Sequence, residues 1–412
     1  MSKNYAAIYE SDNDAIALEQ SFYVKEEITR GELIAPVDAD FIFTIPGGTL
    51  NFVQPFEPSP HRSGRGPVGI IKKKKETSWS LNSYFNINEA LGAPAATEID
   101  PGIRALMKQV LGKEDTTTGI KFTRTVPATT VSIFECGDKF ARQANGAFCD
   151  ALNMQFPGDG EASMAFSGMA KNCLYVGIGK TTANNNGGTT VTLETDDGKQ
   201  FSSAVGAYVM LIEADGTTRS ADTPNGSPRK ILSVVGDVVT LSGAALADAD
   251  ASVNDMYLVY YEPANPTAIN NPVTGLQGAL AVSGIAGSIC PRSLSVQITN
   301  NHEVRNDCYG TDALAGSLFV AGARATISVS MEMNVNKDLI AFFNAVQAFE
   351  SQVLQITLGD TTKRYLDMDF PKVMFPVPEM PIPESGSIPV TFEGTPLQTA
   401  LNADDEISVH FK

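Results

Sequence analysis

Apolar and polar positions alternate in short runs along most of the chain, the period expected of half-buried strands. "DFIFTI" (40–45) is one such run. "GIIKKKKETSWSLNSYF" (69–85) predicts one long strand with Trp79, Leu81, Ser83 and Phe85 on a single face. "TTVSIFEC", "GAFCDALNMQF" and "EASMAFSG" predict further strands between 129 and 168. Residues 1–37 are polar with scattered apolar positions and predict an extended arm or an edge strand. Two stretches have helical spacing instead. In the first, Ile103, Leu106, Met107, Val110 and Leu111 form a stripe, with Asp100 as N-cap, Pro101 at the first helical position and Gly112 at the C-terminal end. In the second, Asn336 caps a stripe of Leu339, Ile340, Phe343 and Val346.

The order of these elements occurs twice. "SLSVQIT" (293–299) matches the alternation of "DFIFTI". A long loop, the strand "ARATISVSMEMNV", the second helix and the strands "VLQITLG", "RYLDMDFPKVMF" and "SIPVTFEG" follow. "FPGDGEASMAFSG" (156–168) aligns without gaps on "IPESGSIPVTFEG" (382–394), so Pro157, Gly160, Phe166 and Gly168 match Pro383, Gly386, Phe392 and Gly394. The reading is a duplicated module in which the two prolines mark the turn into the last strand of each copy. Residues 178–265 differ: short strands broken by Asp-Gly and Asn-Gly turns predict a small inserted β-barrel or sandwich. The expected division is 1–177 (first module with an N-terminal arm), 178–265 (insert), 266–289 (linker) and 290–412 (second module).

Composition narrows the possible functions. The 412 residues carry a formal net charge of −17. An acidic surface repels nucleic acid rather than gripping it. The five cysteines (136, 149, 173, 290, 308) lack metal-type spacing and predict reduced, structural thiols. No apolar signal core or spanning run is present, so neither standard secretion nor a membrane anchor is expected.

The candidate chemistry is thin. His61, His302 and His410 have no nucleophile motif near them in sequence. "GIGKTT" (177–182) lacks the first glycine of a phosphate loop, with Leu174 in its place, and reads as a turn at a strand end. "DADASVND" (248–255) lacks the central glycine and terminal glutamate of a calcium loop. "NGSP" (225–228) reads as a polar turn. No catalytic residue, metal or cofactor is expected. The lysine run Lys72, Lys73, Lys74 and Lys75 has two readings: a solvated strand protected from edge pairing, or a contact with an acidic face of a neighbouring subunit.

The "HRSGRG" loop before a long strand, the single helix after it, "GAFCDALNMQFPGDGEASMAFSG", "VQITNNHEVRNDCYG…GARATISVSMEMNV" and the stretch from "FPKVMF" to "EISVHF" together resemble the tail tube proteins of long-tailed bacteriophages. The resemblance covers residues 1–178 and 270–412. It implies a mainly β fold of two tandem β-sandwich/barrel modules, each flanked by one helix with Leu106 and Phe343 in the core, plus the insert on the outer surface. It implies a structural virion protein of the tail, assembled in the host cytoplasm. Rings would stack into a tube around the tape-measure protein and DNA and meet terminator and baseplate proteins. Long loops and terminal arms would grip the next ring. With two modules per chain, three chains would make a pseudo-sixfold ring. Arg62, Arg65 and Lys72–Lys75 become the expected subunit or ring contacts. The competing expectations are another ring-forming tail part (terminator or baseplate hub), a β-rich carbohydrate-binding or adhesion protein, and a hydrolase with paired carboxylates.

Overall fold

The computed structural model describes residues 3–11, 14–15, 20–59, 69–86, 100–117, 119–125, 129–182, 187–224, 226–247, 256–264, 273–274, 278–283, 291–303, 320–321, 325–359, 365–380 and 382–412. They form a mostly β protein of several sheets and a few short helices.

The first part contains α1 (Tyr5–Glu10), β1 (Ser21–Glu26), β2 (Phe41–Ile42), β3 (Thr49–Val53), β4 (Phe56–Pro58), β5 (Ile70–Lys72) and β6 (Glu76–Tyr84). It continues through α2 (Pro101–Leu111), β7 (Gly112–Asp115), β8 (Ile120–Arg124), β9 (Val131–Cys136), β10 (Ala141–Pro157), β11 (Ser163–Ala170) and β12 (Asn172–Val176). The middle part contains β13 (Ile178–Lys180), β14 (Thr190–Thr192), β15 (Tyr208–Ile212), β16 (Arg229–Val235), β17 (Val238–Leu241) and β18 (Tyr257–Tyr260). The last part begins with β19 (Gly278–Val282), β20 (Pro291–Thr299), β21 (His302–Glu303), β22 (Val320–Ala321) and β23 (Thr326–Asn334). It ends with α3 (Lys337–Gln347), β24 (Gln352–Leu358), β25 (Leu366–Met374), β26 (Pro389–Pro396) and β27 (Ser408–Phe411).

Both longer helices begin where the local chemistry places them. Pro101 opens α2, and all five residues of its stripe are buried. Asp100 stands at the N-cap without a side-chain cap bond. Gly112 ends the helix at φ 95°, and a Cβ there would lie 2.2 Å from the Thr125 carbonyl oxygen. Asn336 caps α3 by accepting from the Leu339 N–H at 2.8 Å. The expected stripe of α3 is out of phase in part: Ile340 is exposed and Phe343 half-buried, while Phe342 is fully buried. Two adjacent phenylalanines compete for the face, and Phe342 wins by packing edge-on against Phe375 and Phe392 at 5.3 and 4.9 Å.

One pairing pattern occurs twice. β6 and β23 are 250 residues apart at both ends (Glu76 to Thr326, Tyr84 to Asn334), and β11 and β26 are 226 apart (Ser163 to Pro389, Ala170 to Pro396). Their registers agree: Phe166 faces Leu81 and Gly168 faces Trp79, as Phe392 faces Met331 and Gly394 faces Val329. β3 lies on β6 as β20 lies on β23, with Leu50 opposite Trp79 and Val296 opposite Val329. The counterpart of "SLSVQIT" is therefore "TLNFV" rather than "DFIFTI", because the register and not the alternation alone decides equivalence. A second sheet, β1-β9-β10-β12, has the same antiparallel order as β19-β24-β25-β27. β11 and β26 are each followed by another strand, so neither is the last of its half.

The two halves share sheets. β10 runs for 17 residues; its first part pairs with β9 and β12, and its second part lies between β11 and β20. This makes one seven-stranded sheet in the order β3-β6-β11-β10-β20-β23-β26. The β7–β8 hairpin after α2 extends the other half's sheet, with β8 on β27.

The layers explain the burial patterns. The seven-stranded sheet buries one face, including Leu50, Leu81, Phe166, Met154, Val296, Met331 and Phe392, in the main core. β1 lies across that core and is buried on both sides: Phe22 and Val24 point into it, and Tyr23 into a second core. The second core holds the six-stranded sheet β13-β18-β15-β16-β17-β14, whose edge strands meet at Thr181 and Leu193. The middle part thus lies on the far side of the main core from the seven-stranded sheet.

The N-terminal residues are not an extended arm. α1 docks on the middle part: the Tyr5 N–H donates to the Gly216 carbonyl at 2.7 Å, and its hydroxyl to Glu262 at 3.0 Å. The Lys3 ammonium pairs with Glu262 at 2.9 Å. The long strand expected over 69–85 is broken at Lys73–Lys75. No apolar side chain occurs between Lys72 and Ser78, so nothing anchors a strand there. The Lys73 N–H donates to the Pro55 carbonyl, and β5 pairs with β4 in a separate hairpin.

Candidate assembly surface

Alternation puts every second residue of the seven-stranded sheet on the face away from the core. Registers align these residues in rows. One row is Asn82, Ala165, Asn153, Gln297 and Ser328; another is Tyr84, Ser163, Gln155, Ser295, Ser330 and Glu393. A third runs through Thr49, Ser80, Ser167, Ala151, Thr299 and Thr326. All are half-buried or exposed. The carboxylates in and beside these rows include Glu76, Glu332 and Glu393. Among the described residues of this sheet, counting only the second part of β10, the one cation is Arg292, which pairs with Glu332 at 3.0 Å; Arg142 lies in the first part of β10, in the other sheet. The result is a hydroxyl- and amide-rich face, weakly acidic and continuous across both halves.

This sheet ends on β3 at one side and β26 at the other. Beyond β3 lies the β4–β5 hairpin, with Val53, Phe56, Ile70 and Ile71 exposed. Lys72 and Lys73 are also exposed there, and Lys73 pairs with Glu57. Lys74 and Lys75 are half-buried, with the Lys75 ammonium 5.7 Å from the Phe52 ring centre. Arg62 and Arg65 lie outside the described residues, as do His61, Cys290, Cys308 and the stretch 248–255. The structure therefore gathers the lysines at a sheet edge beside apolar side chains that the sequence reading did not single out. Their signal was present in "NFVQPFE" and "GIIK", two apolar runs flanking a polar loop.

The remaining candidate chemistry is built into the interior. Glu27 accepts from the N–H groups of Gly31 and Gly146 and from the hydroxyls of Thr130 and Ser132. Glu135 pairs with Arg142. His302 lies on Asp150, with Nδ1 3.6 Å from its carboxylate, and burial pushes the imidazole below its ordinary value. His410 sits in β27 opposite Asp367 and Lys121. The thiols of Cys136 and Cys149 are pushed upward by burial, and that of Cys173 to about 12, so none is poised as a thiolate. "GIGKTT" is the edge strand β13 and its bridge rather than a turn, and the Lys180 N–H donates to Asp197. Among the described residues no group of three or more His, Cys, Asp or Glu could hold a metal ion. Among them also, no helix is long and apolar enough to cross a membrane.

The chain matches no protein-family model, and no curated protein matches it. The functional reading therefore stands on this chain's own geometry.

Proposed function

We propose that this chain is a self-assembling structural protein, the tube protein of a long-tailed phage tail, whose seven-stranded sheet faces a channel for DNA. The observation that carries the reading is the polar face of that sheet. Among the described residues its rows and their margins offer hydroxyls, amides, carboxylates and a single paired cation. Among the described residues of this face a polyanion meets a single cation, already paired with Glu332, to release its counterions against, so it passes without being held. The recurring strand registers support two equivalent modules per chain. Three chains then supply six modules, and closing the sheet into a ring removes both free edges. The middle part, lying behind the main core, belongs on the outside of such a ring.

Electron microscopy of the purified protein over a range of concentrations tests the reading. Threefold rings that stack into tubes, with the middle part outermost, are expected. A protein that stays monomeric at high concentration, even when other tail components are supplied, overturns it.

A further inference from the structure

The registers of the seven-stranded sheet define its two ends. Glu76, Ala170, Thr299 and Thr326 lie toward one end. Tyr84, Pro157, Ser163, Asn334 and Pro389 lie toward the other. The two ends differ in shape and in charge.

At the first end the β3–β6 pair runs on as the β4–β5 hairpin. Val53 faces Glu76, and after a slip of one residue Phe56 faces Lys72. The strand flanking the pair, β11, stops at Ala170 opposite Thr77. The hairpin therefore projects past the sheet as a two-stranded ribbon without a third strand among the described residues. Every residue of β4 and β5 is exposed, Phe56 by 63% and Ile70 by 59%. A two-stranded ribbon without a core is marginal alone, and clustered apolar side chains left in water are placed for a partner. The charge of the ribbon and its root is positive: Lys72, Lys73, Lys74 and Lys75 stand against Glu57 and Glu76.

The second end carries short turns. The turn over 157–163 exposes Asp159 and Glu161. The turn over 382–389 exposes Glu384, with Ile382 exposed by 82% beside it. Neither turn contains a lysine or arginine. Next to them Arg292 is paired with Glu332, and Lys337 opens α3. This end thus offers carboxylates around an exposed apolar side chain, the complement of the ribbon.

We propose that the β4–β5 ribbon of one copy seats on the turns 157–163 and 382–389 of a second copy in the next ring. The lysines then meet Asp159, Glu161 and Glu384, and Phe56, Ile70 and Ile71 cover Ile382. The inference rests on the assembly reading above and names the surfaces that meet between rings. Strands of a closed barrel cross from one rim to the other, so ribbon and turns lie on opposite rims, which stacking brings together. Because the two surfaces differ, the contact is head-to-tail: it repeats without closing and gives every ring in the stack one direction.

Charge reversal in the full-length protein tests the contact. One variant carries Asp159→Lys with Glu384→Lys, the other Lys72→Glu with Lys74→Glu, and thermal melts like the parent's check that each folds. Alone, each sets like charges together and should need about tenfold or more protein to form tubes. In an equal mixture the reversed turns meet the reversed ribbon and the native turns the native ribbon, so tubes should return at the parent's concentration. Either variant stacking alone at that concentration overturns the contact and leaves the tube reading standing, as does a mixture no better than its parts. Variants that bind each other but not themselves, from a parent that never forms tubes, support the contact and overturn the tube reading.

Discussion

At the residue scale the repeated Phe-x-Gly has a packing cause. Phe166 and Phe392 are core, and the glycine two places on lets another group lie against the strand. A Cβ at Gly168 would sit 1.9 Å from the Phe148 carbonyl oxygen, and one at Gly394 2.5 Å from the Phe375 ring. The spacing was readable in the sequence; the cause was not, because the crowding atoms come from β10 and from the chain after β25. His302 was readable only as a histidine without a nucleophile. The structure places it edge-on to Phe148 with Asp150 beside it and Arg124 and Arg30 in its field. Burial lowers its affinity for a proton, and Asp150 opposes that shift. The unfolded chain therefore takes up a proton first as pH falls, and the stabilisation present above the ordinary histidine value is lost as pH drops through it. Thermal melts between pH 7.5 and 5 should show this decline, and His302→Gln should flatten it; an unchanged slope in the variant would assign the decline to other groups.

At the element scale, the two longer helices were legible, whereas the short α1 and the sheet neighbours were not. Caps and stripes are local, so Pro101, Gly112 and Asn336 could be placed without knowing the rest of the chain. Asn336→Ala removes the bond to the Leu339 N–H and should cost about 1 kcal/mol, read as a lower denaturant midpoint at unchanged slope. Strand pairing depends on residues far away. Nothing in "ARQANGAFCDALNMQFP" announces that its first part belongs to one sheet and its second to another. β1 and β9 do not alternate cleanly because each is buried on both faces, which hides the period-two signal. The lysine run misled for the opposite reason: continuity of strand-like sequence on both sides concealed a break that only the absence of apolar anchors explains.

At the scale of the whole molecule, the polar face and the internal joint give the chain two properties at once. Among the described residues it presents a face whose one cation, Arg292, is paired with Glu332, and it joins both halves in one sheet that runs from β3 to β26. Ser295→Lys with Ser328→Lys would put two cations into adjacent strands of that wall. Assembly should be unchanged, since neither residue lies on β3 or β26, the outer strands of that sheet. Retention of duplex DNA should rise and fall steeply with added salt, measurable by co-sedimentation of DNA with the assembled protein. Equal DNA retention in variant and parent would show that the sheet faces elsewhere.

The docking of α1 has a consequence for how the protein is made. Tyr5 and Lys3 bond to Glu262, some 257 and 259 residues later in the chain. At roughly 5–20 residues per second of synthesis, the first helix waits on the order of 10–50 s for its partner to emerge from the ribosome. β10 waits likewise for β20. The first half therefore cannot close while it is nascent, and its edges complete only when nearly the whole chain exists. A translation product that stops before Glu262 would leave the Tyr5 hydroxyl and Lys3 without that carboxylate, so its first helix would lack the contacts that dock it.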